Sequence, residues 1–112
     1  MNYNVKFLQS AMVDNNANIE YLSQFYPSTP RKYLTALEKC KSTLIDNPYL
    51  YSVYLPMPEY RRFTVRNYIG FYKIIEENST VEIHRILHGS RDVLSALNGV
   101  IGVNGGSPIV VI

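Results

Sequence analysis

Residues 60–88 read YRRFTVRNYIGFYKIIEENSTVEIHRILH and contain the pattern that decides the fold. Polar and apolar side chains alternate in YRRFTVR, and the segments YIGFYKII and TVEIHRIL are rich in the aromatic and β-branched residues that favour strands. Asn67 separates the first segment from the second, and EENST separates the second from the third. Because connections this short join antiparallel neighbours, the stretch predicts three antiparallel strands in a row.

The alternation in the first of these strands divides its side chains between the two faces of the sheet. One face receives Arg61, Phe63 and Val65, and the other receives Arg62, Thr64 and Arg66. We therefore expect Arg62 and Arg66 to lie together and to act together. An antiparallel sheet commonly packs one face on helices while the other stays open to solvent, and this arrangement is expected here.

A strand and a helix are predicted ahead of these three strands. Residues 3–8, YNVKFL, alternate loosely and favour a strand. Residues 10–26 favour a helix in which Ala11, Leu22 and Phe25 share an apolar face. The asparagines of this segment are poor helix formers, because their side chains compete for backbone hydrogen bonds. A helix remains the prediction for the segment.

A second helix is predicted after Pro27. Thr29 is the expected N-cap, and Pro30 suits the first helical position, where its missing N–H is not needed. Residues 31–46, RKYLTALEKCKSTLID, carry an apolar stripe at helical spacing that contains Tyr33, Leu37, Cys40 and Leu44. The helix ends near Asn47–Pro48. The two helices are therefore expected to form an antiparallel hairpin with a short, proline-containing turn.

The remaining segments are a connection and a tail. Residues 48–59, PYLYSVYLPMPE, contain three prolines and predict an irregular connection or an edge segment. After the strands we expect a short helical turn through Leu97, because Gly99 and the later glycines oppose a longer helix. The chain thus divides into a domain at residues 1–97 and a glycine-rich, apolar tail at residues 98–112. The tail is a loose extension, a final strand or a segment that orders on a partner.

Composition fits a single cytoplasmic domain. The chain has 112 residues, of which 46% are apolar and 18% charged, which is enough for one hydrophobic core. Cys40 is the only cysteine, so neither an intrachain disulfide nor a cysteine-based metal site is expected. No apolar run approaches the roughly 18–20 residues that cross a bilayer, and the N-terminus lacks the features of a secretory signal. A formal net charge of +2 is too small to indicate nucleic-acid binding by itself.

Together these segments predict an α+β fold in the order β-α-α-β-β-β, with a helical hairpin packed on one face of an antiparallel sheet. In this order the chain resembles the RelE/ParE superfamily of bacterial type II toxin–antitoxin toxins. The resemblance extends from about residue 3 to residue 93 and rests on EYLSQFYPSTPRKYL, IDNPYLYSVY, YRRFTVRNYIGFYKI and VEIHRILHGSRD. It implies a small growth-arresting toxin that a cognate antitoxin holds inactive in a hetero-oligomer.

The resemblance implies two alternative targets, because some members cleave mRNA on the ribosome and others poison DNA gyrase. A metal-independent ribonuclease would use Arg62, Arg91 and His88, since RNA cleavage requires stabilisation of negative charge and movement of two protons. Two groups of the cleaving set are missing here: the tract at residues 68–70 has no basic residue, and neither Tyr nor His follows Arg91. The ending HGSRD is common among ParE-like members, so gyrase inhibition is favoured. An inactive remnant that still binds antitoxin is the third alternative.

A wider set of side chains is expected to bind the target or the antitoxin, namely Arg61, Arg62, Arg66, Arg85, Arg91, Asp92, Tyr49, Tyr51 and Tyr54. Structural roles are the alternative: Arg91 pairs with Asp92, and His88 bonds the turn that follows it. The three tyrosines would then pack beneath the connection. No cofactor is expected, and His84 with His88 lacks the third ligand that a metal site needs.

Overall fold

The computed structural model describes residues 2–89, 93–101 and 110–111 of the chain. Its elements in chain order are β1 (Asn4–Leu8), α1 (Gln9–Leu22), α2 (Ser28–Asp46), β2 (Arg61–Val65), β3 (Tyr68–Ile75), β4 (Thr80–His88), α3 (Val93–Ile101) and β5 (Val110–Val111). The predicted order of a strand, two helices and three strands is confirmed. Among the described residues, none of the helices has the length and apolar character needed to span a membrane.

The strands form one five-stranded sheet in the order β2-β3-β4-β1-β5. The predicted antiparallel pairing of β2 with β3 and of β3 with β4 is confirmed, and β5 also lies antiparallel to β1. The pair of β1 and β4 is parallel, which the expectation of an antiparallel sheet did not include. Short turns impose antiparallel pairing only on strands that they join directly, and α1, α2, β2 and β3 separate β1 from β4.

Polar side chains of α1 cover the part of β4 that extends beyond β1. The Ser10 hydroxyl donates to the His84 carbonyl at 2.6 Å, and the Ile86 N–H donates to the Asp14 carboxylate at 3.0 Å. The Asn18 amide donates to the Ile86 carbonyl at 3.2 Å. Ser10, Asp14 and Asn18 follow one another at intervals of four residues, so their side chains lie along one side of the helix. An asparagine that weakens helix propensity thus satisfies backbone groups of the neighbouring strand.

The main core lies between the helical hairpin and one face of the sheet. The predicted stripe of α2 is confirmed, because Tyr33, Leu37, Cys40 and Leu44 are all buried. They pack in one cluster with the β2 and β3 side chains Phe63, Val65, Tyr68 and Tyr72. The Cys40 thiol is buried and lies 3.5 Å from the Thr64 carbonyl, as expected for a core thiol.

The second face of the sheet is partly covered, and the expectation of an open face is wrong at this point. Leu97 of α3 is fully buried in a small cluster with Tyr60, Phe71 and Leu87. Helix α3 continues through Gly99 to Ile101, beyond the short turn that the glycines predicted. The cost of one glycine in a helix, about 1 kcal/mol, is smaller than the stabilisation from burying one leucine side chain, about 1.5–3 kcal/mol.

Three local expectations are also corrected. Phe25 lies beyond the end of α1 and is 55% exposed, so it does not belong to the core face. Thr29 lies inside α2, which begins at Ser28 without a side-chain cap. Arg66 leaves β2 and takes a left-handed φ of 55° in the turn before β3, so it does not continue the strand alternation with Arg62.

The tight contact between Gly70 and Phe63 gives the first testable prediction. A Cβ at Gly70 would lie 2.2 Å from the Phe63 Cζ atom, and this ring is buried in the core. We expect Gly70→Ala to lower the free energy of unfolding by about 1–3 kcal/mol, because the ring cannot move away without disturbing its neighbours. Urea unfolding followed by circular dichroism measures the change.

Gly89→Ala is the matched control, because a Cβ there meets only ordinary contacts at 3.7 Å and 3.8 Å. We expect it to change stability by less than about 0.5 kcal/mol. Equal stability of the Gly70→Ala protein and the unsubstituted protein would contradict the packing argument.

Candidate functional site

The strand register separates the side chains that a ribonuclease would use. Arg62 is paired with Phe71 of β3, and His88 is paired with Tyr68. Tyr68 belongs to the core beneath the helices, whereas Phe71 belongs to the cluster beneath α3. Paired residues point to the same face of a sheet, so Arg62 and His88 lie on opposite faces. Arg91 and Asp92 lie outside the described residues.

Arg85 is bound within the protein by three hydrogen bonds. Its Nε and one terminal nitrogen donate to the two carboxylate oxygens of Asp14 at 2.6 Å and 2.9 Å. The other terminal nitrogen donates to the Ala96 carbonyl of α3 at 3.1 Å. This guanidinium therefore joins α1, β4 and α3. Its role in partner binding remains a prediction, and a partner would have to compete with these hydrogen bonds for it.

Arg61 is occupied in a similar way by the connection at residues 48–59. One terminal nitrogen donates to the carbonyls of Tyr49 and Tyr51 at 3.3 Å and 2.6 Å. The guanidinium carbon also lies 5.1 Å from the centre of the Tyr49 ring, which is cation–π geometry. Arg61 thus fixes the connection to the edge of the sheet.

Arg62 differs from Arg61 and Arg85. Its side chain is exposed, and within the described part of the chain it forms no hydrogen bond or ion pair. Arg66 is exposed as well, in the turn after β2. The structure therefore leaves the charge of Arg62 available on the sheet face that carries α3.

The three tyrosines of the connection have different surroundings. Tyr51 packs toward the main core, with its ring centre 6.1 Å from that of Phe63, and Tyr54 packs on Phe71 at 5.1 Å. Tyr49 is 47% exposed and its hydroxyl donates to the Glu76 carboxylate. That hydrogen bond raises the pKa of Tyr49 to about 12, so the hydroxyl stays protonated at neutral pH.

His84 is buried in a polar cluster on β4. Its Nδ1 lies 3.1 Å from the Tyr60 hydroxyl, and its Nε2 lies 3.2 Å from a Glu82 carboxylate oxygen. Lys73 lies over the Tyr60 ring at 4.9 Å. Burial lowers the pKa of His84, and the nearby Lys73 charge acts in the same direction, although Glu82 partly opposes them. A β-bulge in β4 places His84 in this cluster, because His84 is the extra residue that has no register partner on β3.

Helix α1 has an exposed apolar stripe that sequence reasoning missed. It consists of Val13, Ala17 and Tyr21 of the helix and of Phe25 just beyond its end, and we call it the α1 stripe. The exposed fractions of its three large members are 60%, 53% and 55%, and the Tyr21 and Phe25 rings contact edge to face at 5.3 Å. The four-residue spacing was visible in the sequence, but a second apolar face on the same helix obscured it.

A cavity of about 330 Å³ lies beside the α1 stripe. It is bordered by Ala17 and Tyr21 of α1 and by Tyr68, Leu87 and His88 at the ends of β3 and β4. The His88 and Tyr68 rings meet edge to face at 5.6 Å. Exposed aromatic rings next to a concavity are typical of a protein-binding surface. In the described ranges no group of three or more His, Cys, Asp or Glu side chains is arranged to hold a metal ion.

Solved structures with the same fold come from toxin–antitoxin systems. The chromosomal ParDE system of P. aeruginosa matches at a TM-score of 0.64 and 14% identity, over 77% of this chain and 95% of that chain. The RelBE2 toxin–antitoxin complex of Mycobacterium tuberculosis matches at 0.56 and 21% identity, over 79% and 99%. A free mutant of the E. coli toxin RelE matches at 0.57 and 15% identity, over 86% and 93%. These similarities establish the fold class of RelE/ParE toxins.

The family itself follows from the sequence. The family model described as the ParE toxin of the type II toxin–antitoxin system parDE matches residues 5–93. This chain therefore belongs to the ParE toxin family, within the superfamily that its four quoted segments resemble. No curated protein sequence is significantly similar to it.

The buried His84 gives a prediction for pH dependence. Its pKa in the folded protein lies below the ordinary value of 6.5, so the unfolded chain binds the proton more readily. The contribution of His84 to stability is therefore complete above about pH 6.5 and is lost as the pH falls below that value. We expect the free energy of unfolding to decrease from about pH 7.5 to about pH 5.5.

Two variants isolate the histidine responsible for this slope. His84→Gln is expected to be less stable at pH 7.5 and to show a smaller loss between pH 7.5 and pH 5.5. Asn16→Ser, which changes an exposed side chain that does not titrate, is expected to keep the slope of the unsubstituted protein. The same slope in the His84→Gln protein would assign the pH dependence to another group.

Proposed function

We propose that this chain is the toxin of a type II toxin–antitoxin pair that acts in the cytoplasm. In this proposal a cognate antitoxin neutralises it, and it arrests growth by binding DNA gyrase rather than by cutting mRNA on the ribosome. The observation that carries the choice of mechanism is the separation of Arg62 and His88 onto opposite faces of the sheet. Membership of the ParE toxin family supports the toxin role.

The chemistry of RNA cleavage explains why this separation matters. When the 2′-OH attacks the adjacent phosphate, one group must remove a proton, another must supply one, and cations must stabilise the negative charge. All of these groups must surround the same phosphate. On the sheet face that carries Arg62, Asp14 and Ala96 hold the Arg85 guanidinium, and Lys73 lies over the Tyr60 ring. This arrangement supports a toxin that acts through protein binding.

The α1 stripe supports a specific mode of antitoxin binding. Three of its large side chains are more than half exposed, and aromatic rings exposed in this way commonly mark an interface. The backbone groups of β4 next to the stripe are already bonded to Ser10, Asp14 and Asn18. A partner strand would have to displace these bonds to join the sheet there. We therefore propose that the antitoxin contacts the stripe with the apolar face of a helix. An antitoxin partner is in line with the solved structures of the same fold, since the P. aeruginosa structure is of a ParDE system and the M. tuberculosis structure is of a toxin–antitoxin complex.

Controlled induction of the toxin tests its mechanism. We expect growth arrest accompanied by a DNA-damage response and by altered supercoiling of a reporter plasmid, without new mRNA 5′ ends at ribosomal A sites. Co-expression of the antitoxin from the adjacent reading frame should restore growth. The measurements are colony counts, a damage-response reporter, plasmid topoisomers and genome-wide mapping of mRNA ends.

The alternatives give different results in the same experiment. Cleavage of mRNA at A sites that is lost with Arg62→Ala would replace the proposal with a RelE-like ribonuclease. Harmless expression of a protein that still binds the antitoxin would identify an inactive remnant.

Substitution within the α1 stripe tests the antitoxin surface. Tyr21→Ser combined with Phe25→Ser is expected to weaken antitoxin binding by about tenfold or more, because two large apolar contacts are removed. Both side chains are exposed, so thermal stability should change little. Isothermal titration calorimetry gives the affinity. Asn16→Ser, an exposed α1 position outside the stripe, is the control, and equal losses in both proteins would reject the stripe as the binding surface.

A further inference from the structure

The connection at residues 48–59 is irregular in sequence but firmly held in the structure. Its backbone is tied to the edge of β2, because the Arg62 N–H donates to the Ser52 carbonyl at 3.1 Å and Val53 forms a bridge with Arg61. The buried Tyr72 hydroxyl donates to the Pro48 carbonyl at 2.6 Å. A loop with this many internal bonds keeps one conformation before it meets a partner, so binding costs little ordering entropy.

The second half of the connection folds back on itself. The Tyr54 N–H donates to the Tyr60 carbonyl at 2.8 Å, and the Tyr60 N–H donates to the Met57 carbonyl at 2.9 Å. Met57 and Tyr54 both pack against the cluster beneath α3. The connection is therefore anchored on both faces of the sheet, with Tyr51 toward the main core and Tyr54 toward α3.

Two leucines project from this firmly held segment. Leu50 is 65% exposed and Leu55 is 81% exposed, while the tyrosines next to them, Tyr51 and Tyr54, pack inward. A single exposed leucine is ordinary on a protein surface. Here one bonded loop presents two large apolar side chains to solvent, with Tyr49 half exposed beside Leu50, and neither leucine is needed for the packing of the loop itself.

An exposed positive charge lies next to this surface. Arg62 is the register partner of Phe71, and the Phe71 ring contacts the Tyr54 ring at 5.1 Å. Leu55 follows Tyr54 directly. The Arg62 side chain has no bonded partner within the described residues, in contrast to Arg61 and Arg85. A partner that covers the leucines would therefore gain from a carboxylate near Arg62.

We propose that the connection at residues 48–59 is the surface that grips the protein target, with Leu50 and Leu55 as apolar anchors and Arg62 as the charged contact. The occupant is a protein surface with an apolar depression bordered by acidic side chains. This inference rests on the proposed function, in which growth arrest comes from protein binding. It assigns target binding to the β2 edge of the sheet and leaves the α1 stripe, at β4, to the antitoxin.

Because the two surfaces are separate, substitutions in one of them are expected to weaken target binding alone, and substitutions in the other are expected to weaken antitoxin binding alone. Leu50→Ser combined with Leu55→Ser is expected to raise survival after toxin induction by about tenfold or more, since each change removes the burial of one leucine from the target complex. Its antitoxin affinity and its thermal unfolding temperature should equal those of the unsubstituted protein, because both positions are exposed. The α1 stripe variant should show the reverse, with antitoxin binding weakened and growth arrest retained.

Leu34→Ser is the matched control, because Leu34 is an exposed leucine near the start of α2, about 20 Å along that helix from the point where the connection begins. It should arrest growth like the unsubstituted protein. Arg62→Glu is expected to reduce toxicity, whereas Arg62→Lys should retain most of it, because the charge is preserved. Leu55→Ser alone provides a milder variant with the same expected direction.

The possible results separate this inference from the proposed function. Full growth arrest by the Leu50→Ser, Leu55→Ser protein would overturn the inference while leaving the toxin proposal intact. Loss of both arrest and antitoxin binding in a folded variant would also overturn it, because the connection would then be an antitoxin surface. Failure of the unsubstituted protein to arrest growth would reject the proposed function, and the inference with it.

Discussion

The carboxylate of Asp14 is the point at which both helical layers are joined to the sheet. It accepts hydrogen bonds from two nitrogens of Arg85 and from the Ile86 N–H, at 2.6, 2.9 and 3.0 Å. The same guanidinium also donates to the Ala96 carbonyl at 3.1 Å. One carboxylate thus holds α1 against β4, and through Arg85 it holds α3 on the opposite face. On that face Leu97 of α3 is buried with Tyr60, Phe71 and Leu87.

The energetics of this pair explain why the Arg85 charge stays within the protein. The Asp14 and Arg85 side chains are 10% and 17% exposed, so pairing them requires both charges to lose most of their water. Such pairs often contribute little net stability, but removing one partner leaves an uncompensated charge and typically costs about 3–5 kcal/mol. Arg85 therefore stays bound inside the protein, and its charge is not free to hold a phosphate. Arg62, in the same cross-strand row, keeps its charge free, and Lys73, on the same face of β3, lies over the Tyr60 ring.

The sequence predicted most of the sheet and little of the site. Alternation in residues 60–87 identified three strands, and the α2 stripe was found because both signals are local and periodic. The roles of the arginines could not be found in this way, because the groups that bind Arg61 and Arg85 come from distant segments. The sequence of helix α1 is the least regular of the helical patterns. Its asparagines bond to Tyr33 and to the β4 backbone, and its exposed stripe overlaps in sequence with its buried face. The alternation of side chains in the sequence continues through Arg66. In the structure Arg66 has a left-handed φ and lies in the turn after β2, so it does not follow that alternation.

Part of the excess of tyrosine is explained by buried tyrosines that hold the fold together. The chain has ten tyrosines and no tryptophan, a composition that suggests a binding surface rich in aromatic rings. Three of the ten are fully buried, and their hydroxyls bond to Asn15, His84 and the Pro48 carbonyl. These phenols serve as polar groups within an apolar core, where each bond fixes a helix, a bulge or the connection. Because the inward tyrosines hold the connection in place, its most exposed large apolar groups are Leu50 and Leu55, with Tyr49 half exposed beside them. In the proposed recognition at this edge, aliphatic contacts positioned by buried phenols therefore contribute most, whereas the more exposed aromatic rings Tyr21 and Phe25 lie on α1 and in the turn that follows it.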